Sequence, residues 1–305
     1  MAIDLAAVPL LMQEAKERAF SGKILQLGRQ DINFNDDYLA SMAKKMNFNL
    51  HETEAEPLIP SKYLHGKSVI TDTYFFKRLG ASEVYSLDAS DFEGADFIHD
   101  LNVVPNPEEL KGRFDLIINW GTMEHGFHFP NVLENIFDML KVGGRIIHYS
   151  PVNAYEHGFY SFSPSFFNQY YLKNKFILIQ SLLFRGTYTN RESYCEVPEC
   201  SLGSAGILYP GIESLDSRLY MVFFIEEKTP DSRKDLIPTQ GLYEAEWGNS
   251  PPKNDGLAPR FPGLKSLYRK LILLPFIGPY IERWRIIFPH RFYYPGGLFH
   301  RVNLA

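Results

Sequence analysis

The sequence predicts a doubly wound α/β protein, in which helices cover both faces of a mostly parallel sheet. Short apolar runs suited to buried strands alternate with amphipathic helical segments along most of the chain. Several of these runs are followed at once by glycine or an acidic residue, as at the strand ends of ligand-binding α/β folds. Seven strand candidates are present, so we expect a seven-stranded sheet.

Residues 112–151 carry the clearest strand–helix–strand pattern. The apolar run at residues 114–118 predicts a strand that is buried on both faces. Asn131 followed by Glu134 is a capping-box pattern, which predicts that a helix begins there. The glycine pair at residues 143–144 is expected to end that helix, and the next strand is expected to follow it.

The other elements follow from the same periodicities. Asn35 and Thr71 are expected to cap helices, and Ser163 with Pro164 predicts another helix start. Helices are predicted at residues 9–20, 36–46, 71–79 and from 164. Strands are predicted at residues 23–27, 83–87, 96–99, 175–184 and 218–225.

The domain organisation is read from changes in composition. We predict an N-terminal helix in residues 1–22, an α/β domain in 23–228 and a linker with a C-terminal extension in 229–305. A polar, glycine-containing insertion at 185–216 separates the last two strands and is expected to form a lid. The end of the chain is basic and aromatic, and packing on the domain is favoured over contact with a membrane.

Composition and charge narrow the class of protein. A hydrophobic share of 45% suits a globular core, and a formal net charge of −5 offers no general attraction for nucleic acid. The two cysteines, Cys195 and Cys200, are interpreted as ordinary thiols. No signal peptide and no apolar run of about 20 residues is evident, so a cytoplasmic protein is expected.

Three candidate ligand-binding positions lie at the ends of successive predicted strands. Gly28 directly follows the first strand, where a glycine lets the backbone approach a ligand closely. Asp88 ends the second strand and Asp100 the third. An acid at the end of the second strand, where Asp88 lies, can accept hydrogen bonds from both hydroxyls of a ribose. Together they predict a site for a nucleoside cofactor.

The segments ILQLG, VYSLDAS, HDLN, FDLIINWGTMEH and MLKVGGRIIHYSP stand in this order along the chain. In order and spacing the chain resembles the class I S-adenosylmethionine-dependent methyltransferases across roughly residues 23–226. The motif HGFYSFSPSFF is similar to that of a bacterial group often linked to glycan or secondary-metabolite pathways. The resemblance implies a Rossmann-like sheet of seven strands with the last one antiparallel.

The resemblance also implies S-adenosylmethionine as cofactor, S-adenosylhomocysteine as product and a set of binding residues. Gly28, Arg29 and Gln30 would lie at the methionine part, and Asp88 would bind the ribose hydroxyls. Ala89, Asp100 and Leu101 would contact the adenine, and Asn119, Trp120 and Gly121 would line the cofactor near the sulfonium. The family usually has LGxGxG after the first strand, whereas this chain has LGRQD. That departure puts Arg29 beside the expected methionine carboxylate and counts against a dinucleotide dehydrogenase, whose pyrophosphate needs those glycines.

The expected reaction is methyl transfer to a small molecule. A hydroxyl of a sugar, glycan precursor or secondary metabolite is the first candidate acceptor, and an amine is the second. A hydroxyl must lose its proton, and His125 and His157 lie on loops expected to face the pocket. His128 and His148 are weaker candidates for the base. His128 stands at the expected start of a helix, where capping or surface exposure accounts for it, and His148 lies within a predicted strand, where a core position accounts for it.

No metal site is predicted, since no carboxylate pair stands at ligand spacing near these histidines. The alternative to an enzyme is a protein that has the cofactor-binding fold but no catalytic activity and that binds a partner. The sequence leaves open a homodimer.

Overall fold

The computed structural model describes residues 2–5, 7–62, 64–186, 191–196 and 219–239, which are organised around one eight-stranded sheet. In chain order its strands are β1 (Lys23–Leu27), β2 (Glu83–Asp88), β3 (Phe97–Ile98), β4 (Phe114–Trp120), β5 (Leu140–Pro151), β6 (Ile177–Gly186), β7 (Arg191–Glu196) and β8 (Leu219–Glu227). Across the sheet the order is β7-β6-β8-β5-β4-β1-β2-β3. Two short strand pairs, Ala2–Ile3 with Asp31–Ile32 and Ile59–Pro60 with Ser68–Val69, lie outside it.

The sheet is parallel through its centre. Strands β5, β4, β1, β2 and β3 pair in parallel, whereas β8 runs antiparallel to both β5 and β6. This arrangement confirms the predicted seven-stranded, mostly parallel sheet with its last strand antiparallel. Strand β7 is an eighth member that the prediction did not include, and it extends the sheet from within the expected lid insertion. Residues 187–190 and 197–216 of that insertion lie outside the described residues.

In the described part of the chain, five α-helices flank the sheet: α1 (Ala7–Glu17), α2 (Asp36–Met46), α3 (Asp72–Arg78), α4 (Phe129–Met139) and α5 (Pro164–Lys173). Two predicted caps are confirmed. The Asn35 side chain accepts a hydrogen bond from Tyr38 N at 3.0 Å, and Thr71 accepts one from Tyr74 N at 3.0 Å. Each bond satisfies a backbone donor that the first turn of a helix leaves unpaired.

The predicted boundaries around α4 were wrong. The helix begins at Phe129, two residues before the capping-box pattern, because Pro130 suits the first turn of a helix. Asn131 instead donates its side-chain amide to Asn102 O at 2.5 Å. Strand β5 follows the helix without a break, so the glycines expected to end the helix lie inside the strand. Gly143 N donates to Lys228 O at 2.7 Å, which ties this part of β5 to the end of β8.

The core is divided between the two faces of the sheet. On one face Trp120 and Phe223 pack with the buried stripes of α1, α2 and α3. On the other face Ile117 and Phe224 pack with α4 and α5. Adjacent residues of one strand serve opposite layers because side chains alternate along a strand. Each large apolar side chain buried in this way contributes about 1.5–3 kcal/mol.

The start of the predicted C-terminal extension is packed on the domain. Lys234 Nζ lies 2.8 Å from Glu134 and 2.7 Å from Asp138, both on α4. Leu236 N donates to Asn174 Oδ1 at 3.1 Å. The basic aromatic tail lies outside the described residues. Within the described part of the chain, no helix has both the length and the apolar character needed to cross a membrane.

Candidate active site

The carboxyl ends of β1, β2 and β4 meet at Gly28. This residue has a φ of +70°, and its N–H donates to Leu87 O at 2.7 Å. A Cβ at position 28 would lie 2.9 Å from Thr122 Oγ1 and 3.9 Å from Asp88 Oδ2. Only glycine is compatible with both the left-handed backbone and this closeness. The three residues therefore border one space at the edge of the sheet where open α/β folds bind ligands.

Thr122 was not among the predicted site residues. Its hydroxyl donates a short hydrogen bond to Leu27 O, which joins the loop after β4 to the end of β1. The sequence signal was present, since Thr122 lies in the polar loop directly after a buried strand. Its contact with β1 could not be read from spacing, because the two residues are far apart in the chain.

Asp88 is held in a defined orientation at the end of β2. Its Oδ1 accepts a hydrogen bond from Ala89 N at 2.7 Å, and Oδ2 faces Gly28. Ala89 is exposed beside it. A carboxylate fixed in this way can accept hydrogen bonds from two neighbouring hydroxyls.

Arg29 and Gln30 follow Gly28 and point in different directions. Arg29 Nε lies 3.5 Å from the buried Asp72 carboxylate, and Arg29 donates to Gly94 O at 2.7 Å. The Gln30 side chain is buried and folds back, with its Nε2 donating to Gly28 O at 3.2 Å. Arg29 thus connects the first residue of α3 to the loop after β2, directly beside the Gly28 site.

Asp100 and Leu101 lie after β3. Asp100 is exposed, and its Oδ1 accepts hydrogen bonds from Asn102 N at 2.9 Å and from the Asn102 side chain at 2.8 Å. These bonds, the backbone one first, lower the pKa of Asp100. Leu101 is buried, and its carbonyl accepts from Asn135 Nδ2 at 3.0 Å. The loop is therefore fastened to α4, and the Asp100 carboxylate stays ionised and open to solvent.

The side chains of Asn119 and Trp120 lie in the core. Asn119 Oδ1 accepts hydrogen bonds from the backbone of Thr122 at 3.2 Å and of Met123 at 2.9 Å. Trp120 stacks on Tyr149 with ring centroids 4.2 Å apart. Gly121 has a φ of +81° and turns the chain away from β4. Any contact between these three predicted residues and a cofactor would therefore be made by their backbone atoms.

The two predicted catalytic histidines come together although they lie on different loops. The rings of His125, after β4, and His157, after β5, have centroids 5.3 Å apart. Two backbone bonds to Glu124 O hold the loops in contact, from Phe159 N at 2.9 Å and Tyr160 N at 3.3 Å. A Cβ at Gly158 would lie 2.9 Å from that same oxygen. Close approach of the loops therefore requires glycine at position 158.

Glu124 lies beneath the two histidines and was not among the predicted site residues. It is fully buried, and neither carboxylate oxygen makes a hydrogen bond to a described residue. His157 Nε2 lies 3.6 Å from Glu124 Oε1, which is an ion-pair distance and longer than a hydrogen bond. Interaction with this carboxylate raises the pKa of His157, whereas burial lowers the pKa of His125.

The two other histidines of this region have structural surroundings. His128 precedes α4 and packs edge-on against Phe127, with ring centroids 5.2 Å apart. His148 is fully buried in β5 and contacts the side chains of Asn119 and Tyr171. The interpretation of His148 as a core histidine is confirmed.

Exposed aromatic rings border the histidine pair. Phe127 and Phe159 meet edge to face with centroids 5.6 Å apart and remain 59% and 67% exposed. Tyr155, on the loop that carries His157, is 91% exposed. Aromatic rings left in solvent next to polar groups form a surface suited to a ring or sugar.

Comparison with protein-family models gives no match, and no curated protein matches the sequence. Among solved structures the chain is similar to three bacterial proteins at low identity. A Burkholderia thailandensis 1,6-didemethyltoxoflavin-N1-methyltransferase has 12% identity and a TM-score of 0.38, with 74% of this chain and 78% of that chain covered. The YcgJ protein of Bacillus subtilis has 11% identity and a TM-score of 0.37, with 73% and 99% covered. A SAM-dependent methyltransferase of Aquifex aeolicus has 10% identity and a TM-score of 0.32, with 73% and 98% covered. Similarity at this level carries no argument about function, which must come from the site.

Proposed function

We propose that this protein is an S-adenosylmethionine-dependent methyltransferase that acts on a hydroxyl of a small molecule. A sugar, glycan precursor or secondary metabolite is the acceptor class we favour. The observation that carries the proposal is the meeting of Gly28, Asp88 and Thr122 at the carboxyl ends of β1, β2 and β4. The histidine pair lies on the loops that follow β4 and β5, and the first of these loops also carries Thr122.

The groups around Gly28 suit the nucleoside part of this cofactor. Asp88 Oδ2 faces the bare backbone of Gly28, so a ribose that passes over the glycine could donate its hydroxyls to the carboxylate. Asp100, at the end of β3, would accept from the adenine amino group. A pyrophosphate is a poor fit, because LGRQD has the buried Gln30 where dinucleotide sites have their second glycine.

Arg29 is proposed to contact the methionine carboxylate. Its guanidinium already pairs with Asp72 through Nε and donates to Gly94 O. An arginine has five N–H donors in a planar fork, so these contacts leave donors for a carboxylate. The two existing contacts would hold the guanidinium in place before the cofactor arrives.

The chemistry supplied by the bound cofactor is a methyl group activated by a positive sulfur. The protein must then align the acceptor, keep water out and receive a proton. Alignment alone can contribute about 7–11 kcal/mol. Phe127 and Phe159 offer an apolar surface on which a ring could lie with its hydroxyl toward the histidines. We assign the receipt of the proton to His125 and His157.

A hydroxyl is favoured over an amine because of this proton. An alcohol is a poor nucleophile until a base takes its proton, and a positioned base accelerates the step by roughly a hundred- to ten-thousandfold. An amine needs only to arrive in its neutral form. Two imidazoles beside a buried carboxylate can supply the base that an alcohol needs.

The proposal is tested with S-adenosylmethionine carrying a deuterated methyl group and a panel of sugar, glycan-precursor and phenolic acceptors. Mass spectrometry would show a product heavier by one labelled methyl group, together with S-adenosylhomocysteine. Fragmentation would distinguish oxygen from nitrogen as the methylated atom. Cofactor binding without transfer to any acceptor would favour the silent binding protein.

A further inference from the structure

Glu124 is a buried carboxylate that lacks the partners such a group needs. Its side chain is fully buried, and both oxygens are without a hydrogen bond among the described residues. Removing a carboxylate from water is costly unless it is hydrogen-bonded, paired with a charge or bound to a metal. Among the described residues, the ion-pair partner of Glu124 is His157, at 3.6 Å, and that ring is charged only when protonated.

The atoms around Glu124 have the chemistry of a metal site. One ligand atom from each of Glu124, His125 and His157 lies within 4.8 Å of the others. Imidazole nitrogen with a carboxylate oxygen is a donor set that divalent first-row ions such as Zn²⁺ prefer. This ligand set could not be predicted from residue spacing, because His157 lies on a separate loop from Glu124 and His125.

We infer that Glu124, His125 and His157 bind one divalent transition-metal ion of the Zn²⁺ class. The carboxylate is fixed by burial, and Gly158 packs directly over its Cγ. The two imidazoles are accessible, with His125 exposed and His157 half-buried. Three protein ligands leave a position for water or substrate, as in catalytic zinc sites.

Only a small adjustment is needed to close the site. Ligand atoms about 2.1 Å from one ion in tetrahedral geometry lie about 3.4 Å apart. The present spread of up to 4.8 Å exceeds this by little more than an ångström. Rotation of the accessible imidazoles can supply that movement while Glu124 stays in place.

The role of the ion in catalysis rests on the proposed function, whereas its binding does not. An acceptor hydroxyl on the open position would become more acidic and would lose its proton to water. The acceptor oxygen would then form a bond to the methyl carbon while the carbon–sulfur bond breaks. The electron pair of the broken bond would stay on sulfur. In this state the two histidines act as ligands, and without the ion they remain the groups that receive the proton.

The test uses the full-length, tag-free protein after treatment with a chelator. Titration with CoCl2 followed by visible absorption, and with ZnCl2 by calorimetry, should each show one equivalent bound. Glu124→Gln and His157→Ala should each weaken binding at least tenfold. His128→Ala is the matched control, because it removes a neighbouring histidine outside the cluster, and it should leave binding unchanged.

Two results would overturn the metal site: no cobalt absorption band, or equal affinity in wild type and Glu124→Gln. Circular dichroism and S-adenosylhomocysteine binding are measured on every variant. Retained cofactor binding together with lost metal binding shows that the variant is folded and separates this inference from the proposed function. Failure of cofactor binding in the wild type would contradict the proposed function while the metal titration still decides the site.

Discussion

Asn119 Nδ2 lies 3.0 Å from His148 Nδ1 in the centre of the sheet. The Asn119 oxygen already accepts two backbone hydrogen bonds, so its amide nitrogen must donate to His148. His148 Nδ1 is therefore the acceptor, and the ring carries its proton on Nε2. That nitrogen lies 2.6 Å from the Tyr171 hydroxyl and donates to it. The neutral imidazole thus links Asn119, near the end of β4, to Tyr171 on α5.

This network predicts acid sensitivity. Burial lowers the pKa of His148 to about 3, so the folded protein does not take up the proton that the unfolded chain binds near pH 6.5. Stability contributed by the neutral ring is therefore present above pH 6.5 and is lost as the pH falls toward 3. Between pH 7 and pH 5 we expect a loss of about 2 kcal/mol from this group.

The measurement is urea unfolding at both pH values for the wild type and for His148→Gln. The variant should have a lower free energy of unfolding than the wild type at pH 7. Between pH 7 and pH 5, however, its free energy of unfolding should fall by about 2 kcal/mol less than that of the wild type. Parallel losses in the two proteins would mean that His148 does not remain neutral in the folded state.

Gly158→Ala is predicted to impair catalysis without impairing cofactor binding. The new Cβ would lie 2.9 Å from Glu124 O and 3.1 Å from its Cγ, so the two loops must separate. His157 would then leave Glu124, and we expect methyl transfer to fall at least tenfold. Affinity for S-adenosylhomocysteine should be unaffected. Ser161→Ala, at an exposed position on the same loop, is the control, and an equal fall in both variants would contradict the account.

Arg29→Met tests contact with the methionine carboxylate. We expect a roughly ten- to hundredfold loss of affinity for S-adenosylhomocysteine, since one charge-assisted hydrogen bond contributes about 1.5–3 kcal/mol. Affinity for 5′-methylthioadenosine, which lacks that carboxylate, should change much less. Calorimetry with both ligands checks this. Equal losses would assign Arg29 only to holding Asp72 and the loop at Gly94.

Gly28→Ala is predicted to remove cofactor binding. The added carbon would lie 2.9 Å from Thr122 Oγ1, and the residue would keep a φ of +70° that alanine rarely adopts. We expect at least a tenfold loss of affinity for S-adenosylhomocysteine. Thr122→Ala alone removes the hydroxyl without filling the space and should bind more tightly than Gly28→Ala. The reverse order would show that the ligand does not pass over Gly28.

The local elements could be predicted because their signals are local. The caps at Asn35 and Thr71 and the strand at residues 23–27 depend on neighbouring side chains, and the structure has them as expected. The start of β5 could not be predicted in this way. Its glycine pair resembles a helix end, and Gly143 does have a φ of +77°, but both glycines are hydrogen-bonded to Lys228, directly after β8, and the strand includes them.

The site was only partly predictable for a similar reason. The site residues at the strand ends could be predicted, because alternating strand and helix segments indicate a parallel sheet whose strands end at the same edge. The burial of Glu124 depends on the loop at residues 156–160, which packs on it from a distant part of the chain. Trp120 could have been assigned to the core, because it shares a strand face with Ile118.

The most direct test of the proposed function is calorimetry of the wild type and Asp88→Ala with S-adenosylmethionine, S-adenosylhomocysteine and NAD. We expect both sulfur ligands to bind the wild type, NAD not to bind, and Asp88→Ala to lose at least tenfold in affinity for both sulfur ligands. Binding of NAD without either sulfur ligand would contradict the account.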